Sequence, residues 1–235
     1  MDPEIFLSLL QFTDGLFPMG SYAHSLGLET YVAEGTIRDA KGVEHFLLSF
    51  LQGAAAPTDA VAALSSWRAA LSGRSAKQQC IIIDHSLEAM KLASELRDAS
   101  RQMGRQMLRI AVNLGGPFAV HGLTADLFSA VQSEETHGHH AMVFGVIAAA
   151  LGWQERETAC AFLYSSCAGL VAAALRLLPL GQVAGQQILW TLAPYIAKVA
   201  GDIQGKEMVD IWSFTPGIEI AAMRHAKLDA RLFRS

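Results

Sequence analysis

Seven prolines and three cysteines in 235 residues leave little to break a helix and nothing to staple a loop. Proline is the strongest helix breaker, so its scarcity in a chain with long Ala- and Leu-rich stretches favours helix over strand. Cys80, Cys160 and Cys167 fit no metal or redox spacing. Cys160 and Cys167, on one predicted helix, stand about 10 Å apart at ~1.5 Å rise per residue, too far for a disulfide, and a reducing cytoplasm is the expectation. Charge is also sparse: 17% of residues carry it, the formal net charge is −4 and the sequence pI is near 6.0. The chain therefore lacks the basic face that nucleic-acid binding needs. No phosphate-cradling G-x-x-x-x-G-K-[ST] run and no G-x-S-x-G nucleophile turn occur. Any nucleotide chemistry then belongs to a partner, and neither catalytic residues nor a cofactor is expected.

What is abundant is apolar surface, 51% of residues. No internal repeat, low-complexity tract or alternating strand pattern accompanies it, so the fold class reads as all-α, a single-domain bundle of roughly ten helices. The expected division is a helical domain over 1–212 and a tail over 213–235. Asp2 and Glu4 stand where a secretion signal would be basic. The stretch from Ala161 to Leu178 is about long enough to cross a membrane. Its Ala, Ser and Gly content, Arg176 and the missing basic and aromatic flanks favour a buried core helix instead.

Local signals place the elements. Ile5 to Phe12 reads as a short helix cut off by Thr13-Asp14-Gly15 and Pro18. Ser21 caps a second helix running through Leu26, Leu28 and Val32 to Gly35. A third starts near Asp39 with Val43, Phe46, Leu47 and Phe50 at helical spacing, and Pro57-Thr58-Asp59 opens a fourth. Ser75 to Val112 reads as two helices with a break near Leu92 to Ser94. Gly115-Gly116-Pro117 is a turn within one domain. A polar loop, Gln132 to His140, precedes a helix through Val146 that Gly152 ends. Two long helices follow, Gln154 to Leu178 and Gln182 to Val199, the second interrupted or kinked near Pro194.

Three groups of residues could carry function. His137, His139 and His140 concentrate imidazoles beside Glu134 and Glu135, ligand types that suit nickel, zinc or iron; solvated or helix-capping histidines are the plainer reading, since no rigid element spaces them. Arg97, Arg101, Arg105 and Arg109 form a cationic ridge beside a small-residue groove at Ser100 and Gly104. That ridge is either a solvated face or a docking face for an acidic or helical partner. Tyr164 and Arg176 are polar positions on an apolar helix and need hydrogen-bonding partners, unless Arg176 merely reaches solvent at the helix end.

The run Phe17-Pro18-Met19-Gly20-Ser21-Tyr22-Ala23-His24-Ser25-Leu26-Gly27-Leu28-Glu29 closely resembles the N-terminal signature of the UreF family of urease accessory proteins. The resemblance continues through Arg97 to Arg105, His140 to Gly145, Leu178 to Gln182 with Gly185-Gln186, Ala222 to His225, and Arg231 to Ser235, in family order along essentially the whole chain. It implies an all-α homodimer that binds the D-type (also called H-type) accessory protein UreD/UreH and then recruits the nickel-binding GTPase UreG. The urease apoprotein is the client that receives nickel, with no enzymatic activity, nucleic acid or membrane involved on the chain's part. Partner-binding positions implied by the resemblance are Phe6, Tyr22, Tyr164, Arg176, Gln182 and Gln186, with Arg224, His225, Arg231, Leu232 and Phe233 in the tail. Arg176 replaces a lysine used by some members, and Cys160 stands where the family can present an arginine. The alternative function is a metallochaperone holding nickel through His137, His139 and His140; a helical hydrolase or oxygenase with a dispersed site is a third class.

The tail carries the sharpest expectation. Phe214-Thr215-Pro216-Gly217 breaks the chain before a short amphipathic segment, and Leu232 and Phe233 form an apolar pair between Arg231 and Arg234. Such a pair either docks on the protein's own core or orders on the D-type partner; the resemblance favours the partner.

Overall fold

A computed structural model describes residues 2–73, 75–120 and 122–235, with the backbone alone at 119 and 120. Among them the chain is all helical, without strands. The N-terminal half comprises α1 (Pro3–Thr13), a 3-10 turn (Ser21–Ala23), α2 (Leu28–Ala33), α3 (Ala40–Phe50), α4 (Val61–Leu71), α5 (Ala76–Met90) and α6 (Ser94–Leu114). The C-terminal half holds α7 (Pro117–Val120), α8 (Leu123–Gln132), α9 (His140–Ala150), α10 (Glu155–Leu177), α11 (Gln182–Asp202) and α12 (Pro216–His225).

Capping chemistry starts several of these helices. The Asp2 carboxylate accepts from the Glu4 amide with Pro3 in the first turn, Asp39 accepts from Gly42, and Gln154 with Glu157 forms a capping box ahead of α10. At the centre lies α9, in which every residue from His140 to Ala148 is buried. It packs against α4 on one side and α6 on the other, while α10 packs against α11 and α4. The Trp67 indole donates to the Trp153 carbonyl at 2.9 Å and ties α4 to the turn that follows α9. Two helical stretches, Ala40–Leu71 and Glu155–Leu177, are long and apolar enough to cross a membrane, but 72% and 61% of their apolar windows are buried inside the fold. Their apolar surface is spent on the protein's own core.

The sequence-based reading needs correction at three places. Ser21 to Gly35 is not one helix: Leu26 at φ 49° and Gly27 at φ 90° turn the chain, leaving a single 3-10 turn before α2. A side chain at Gly27 would be strained, and its Cβ would stand 3.0 Å from the Ile218 carbonyl oxygen of α12. Pro57 opens no helix; it lies within a π-helical segment, Leu51–Ala60, that joins α3 to α4 without a break. In a π-helix each amide bonds five residues back, so the carbonyl that Pro57 leaves without a donor is that of Gln52. The neighbouring Gly53 carbonyl accepts from the Phe214 amide at 2.8 Å, which pins the segment to a part of the chain far away in sequence. Likewise α11 runs through Pro194 as one helix and extends to Asp202. The expected break near Leu92 is present, where Lys91 leaves helical geometry and Ser94 resumes it.

Candidate functional site

Four features of the molecule meet around α6: the histidine loop, the arginine ridge, the Tyr22 loop and the C-terminal tail. The loop is held by Asp84, a wholly buried carboxylate on α5. It accepts from the Thr136 hydroxyl at 2.6 Å and from the amides of His137, Gly138 and His139 at 2.6, 2.9 and 2.7 Å. Charge-assisted bonds of this kind are among the stronger ones in proteins. A Cβ at Gly104 would stand 2.6 Å from the His140 nitrogen, so glycine is what lets the loop lie against α6.

That packing corrects two sequence-level readings. The small-residue groove at Ser100 and Gly104 receives the chain's own loop rather than a foreign helix: Ser100 Oγ lies 3.0 Å from His139 Nδ1 and accepts from the His140 amide. The three histidines are not gathered around a common point either. His139 is buried between Ser100 and Glu88, its Nε2 3.0 Å from the Glu88 carboxylate. His140 turns into an aromatic cluster with Phe144 and Phe162, ring centroids 5.8 and 5.2 Å away. His137 stays at the surface edge-on to His85. Among the described residues no group of three His, Cys, Asp or Glu is arranged to hold a metal ion. Burial holds the His139 imidazole below its ordinary pKa against the pull of Asp84. Burial pushes Glu88 upward, but hydrogen bonds from Arg101 and His139 outweigh it and keep the carboxyl below its usual range.

The arginine ridge is divided between structure and surface. Arg97 donates to the Lys91 and Leu92 carbonyls, Arg101 forks onto Glu88, and Arg105 Nε donates to the His137 carbonyl at 2.7 Å. Yet Arg101, Arg105 and Arg109, with Arg234 from the tail, also line an open groove of about 920 Å³ that Tyr22 borders and that contains only two acidic residues, Asp98 and Glu134.

The tail closes this groove at one end. His225, at the end of α12, is fully buried between Glu29 (2.7 Å) and Glu95 (2.9 Å). The Leu232 and Phe233 amides donate to the Glu29 carboxylate at 2.6 and 3.1 Å. Phe233 is buried and the Arg176 guanidinium sits 4.4 Å over its ring, while Arg176 Nη1 donates to the Tyr22 carbonyl. Finally the Ser235 carbonyl accepts from the Ser25 and Leu26 amides, and the Arg234 amide donates to Ala23.

Of the residues singled out from sequence, Tyr22, Arg176 and Phe233 are thus brought together, with Tyr22 67% exposed. The tail is ordered on the protein's own core, because a buried carboxylate and a cation–π contact receive it without help from another chain. His225 and Phe233 face inward, whereas Arg224, Arg231 and Leu232 face solvent, with Arg224 near Glu34 and Arg231 near Glu95. The remaining residues lie elsewhere. Phe6 on α1 is exposed, and Tyr164 on α10, also exposed, lines an apolar groove of about 600 Å³ with Leu9, Leu10, Cys160 and Ile196. Gln182 and Gln186 are exposed on α11 one turn apart, followed at the same spacing by Trp190, 84% exposed. Sequence reasoning missed Asp84 and the anchoring role of Glu29. A signal for Asp84 was available: it is the lone acid on the buried stripe Cys80, Ile81, Ile83, Leu87 of α5.

Residues 37–193 match the sequence profile of the family described as UreF. The chain is also similar, over nearly its whole length, to proteins described as urease accessory protein UreF. That from Bacillus sp. (strain TB-90) is 31% identical over 97% of this chain and 98% of the relative. Those from Trichodesmium erythraeum (strain IMS101) and Geobacillus kaustophilus (strain HTA426) are 33% and 30% identical, covering 97% and 100% of this chain and 95% and 100% of the relatives. On the profile match and the full-length similarity together, the chain belongs to the UreF family of urease accessory proteins.

Proposed function

We infer that this protein is a non-catalytic scaffold for nickel insertion into urease, acting through the D-type accessory protein UreD/UreH and the GTPase UreG. The observation that carries the reading is the arginine groove between α6 and the docked tail. Four guanidinium groups with a bordering exposed tyrosine make a surface for carboxylates of another protein, and arginine and tyrosine are the residues that dominate protein interfaces. Membership of a family named for assistance to urease supplies the client.

The apolar groove at Tyr164 and Cys160 supports a second, more lasting contact. Together with Leu7, Leu10 and Trp190 it offers exposed apolar surface of the kind that homodimer interfaces bury, and a second copy of the chain is the occupant proposed here. Work in the cytoplasm fits both contacts.

The test is co-expression of the tagged full chain with the D-type protein and UreG, followed by capture. Reversing charge at Arg105 and Arg109 together should leave the helical fold and the dimer intact while UreG is lost from the complex and urease stays inactive. Retention of UreG and full urease activation by that variant would overturn the groove assignment. A mass of one chain in light scattering at micromolar concentration would overturn the dimer.

A further inference from the structure

Two buried imidazoles each keep one nitrogen without a partner. His24 and His140 are 4% and 7% exposed, and Nε2 of each meets no hydrogen-bond partner. They come from distant parts of the chain, the end of the Ser21–Ala23 turn and the first turn of α9. Both line one small, partly open cavity of about 40 Å³, together with Met19, Met103, Ser165 and Ser166. Buried polar atoms in native proteins are nearly always satisfied, so two unsatisfied nitrogens bordering one space point to an occupant of that space.

The lining decides what kind of occupant fits. It contains imidazole, thioether, hydroxyl and aliphatic groups, with no carboxylate, thiol, ammonium or guanidinium. The desolvation cost of an ion grows with the square of its charge, so a dication entering this neutral site meets a penalty about four times that of a monocation. Imidazole with thioether is a soft ligand set of the kind that selects copper(I). His24 Nδ1 lies 2.7 Å from Ser235 Oγ; with Nδ1 donating to that hydroxyl, the contact is of the outer-shell kind that orients a metal-binding histidine and leaves Nε2 with the lone pair. Burial holds both imidazoles down to about 4, aided by Arg234 at His24, while at His140 Asp59 pulls upward and Lys91 downward; both are therefore neutral with a free lone pair near neutral pH. Met19 also borders the open arginine groove, so the two spaces are neighbours.

We propose that this cavity binds a soft monovalent cation of the copper(I) type through Nε2 of His24 and Nε2 of His140, with a methionine thioether alongside.

The full chain carrying Cys160→Ser, which removes the half-buried competing thiol, is titrated anaerobically with copper(I) while the imidazole nitrogens are followed by long-range proton–nitrogen NMR. One equivalent should shift both Nε2 resonances, and the same concentration of nickel(II) should not. His140→Phe, which keeps a ring in the aromatic cluster, should weaken copper(I) binding by more than the roughly 10- to 100-fold that loss of an outer-shell group costs. Ser235→Ala keeps every backbone bond of the tail and should weaken it about tenfold, which leaves the test intact if the phenylalanine variant misfolds. Imidazole nitrogens unmoved at one equivalent, whether copper(I) binds elsewhere or the cavity holds only water, would overturn the proposal. An equal response to nickel(II) would overturn its charge selectivity.

Discussion

The loop that ends at His139 and the tail that ends at Ser235 are drawn onto the bundle by the same device, a buried carboxylate that collects backbone N–H groups. Asp84 gathers three amides and a hydroxyl; Glu29 gathers two amides and the ring of His225. They differ in what surrounds the device. The loop is held between α8 and α9 and seated against Gly104, whereas the tail leaves α12 without a further helix in 226–235 to hold it and relies on Phe233 beneath Arg176. A loop between two packed helices lets go only with those helices, while a helix-free segment held by a few side chains opens by itself. The loop belongs to the global stability of the fold and the tail to its local equilibria.

Acid challenges both seats at once and should give the largest effect. His24 lies under the tail and His140 beside the loop, and each has its pKa held down from 6.5 to about 4, first by burial. The unfolded chain then binds more protons than the folded one between those values. The corresponding stability is fully present above about pH 6.5 and is lost as pH falls to about 4, at roughly 3 kcal/mol for each histidine. Urea titrations across that range should show the decline, and His140→Phe should flatten it by about half.

Next in size is Gly104→Ala, whose methyl group collides with the backbone of Gly138 to His140; it should lower global stability by about 3 kcal/mol. Asp84→Asn leaves an acceptor at only one position for four donors and should cost about 2–3 kcal/mol by chemical denaturation. If either variant proves neutral, the loop is not part of the cooperative core. Phe233→Ala should do the opposite: hydrogen exchange at the Ser25 and Leu26 amides accelerates sharply, while global stability changes by only about 1 kcal/mol. A global loss as large as that of Asp84→Asn would erase the distinction between loop and tail. Smallest of all, Lys77→Ala removes a largely exposed ion pair with Glu135 at the loop's edge and should change stability by less than about 0.5 kcal/mol.

Legibility in the sequence followed the range of the interaction. The helix starts near Asp39 and Gln154 and the break near Leu92 are set within a few residues, and they could be read directly. Pro57 misled because the π-helical segment that contains it is pinned from far away, by Phe214 on the Gly53 carbonyl, and Leu26 misled because nothing nearby announces its left-handed backbone. The same distinction governs the site. Tyr22, Arg176 and Phe233 were picked out one by one through family likeness, but their meeting depends on a guanidinium bridging a carbonyl and a ring from opposite ends of the chain. For Asp84 the apolar stripe around it announced a buried acid, but the loop amides that it anchors lie more than fifty residues away and could not be read from the helix.

The four tryptophans stand at graded depths: Trp153 1% exposed and hydrogen-bonded to Ser8, Trp67 half-buried, Trp212 48% and Trp190 84% exposed. Trp190 is the most exposed of the four and stands on α11, so its indole emission reports on whether water or protein lies against that helix. The molecule thereby carries its own optical gauge. A blue shift and loss of quenching by iodide, with Trp153 unchanged, would register the covering of this face without a label, and replacing Trp190 by phenylalanine would silence the signal.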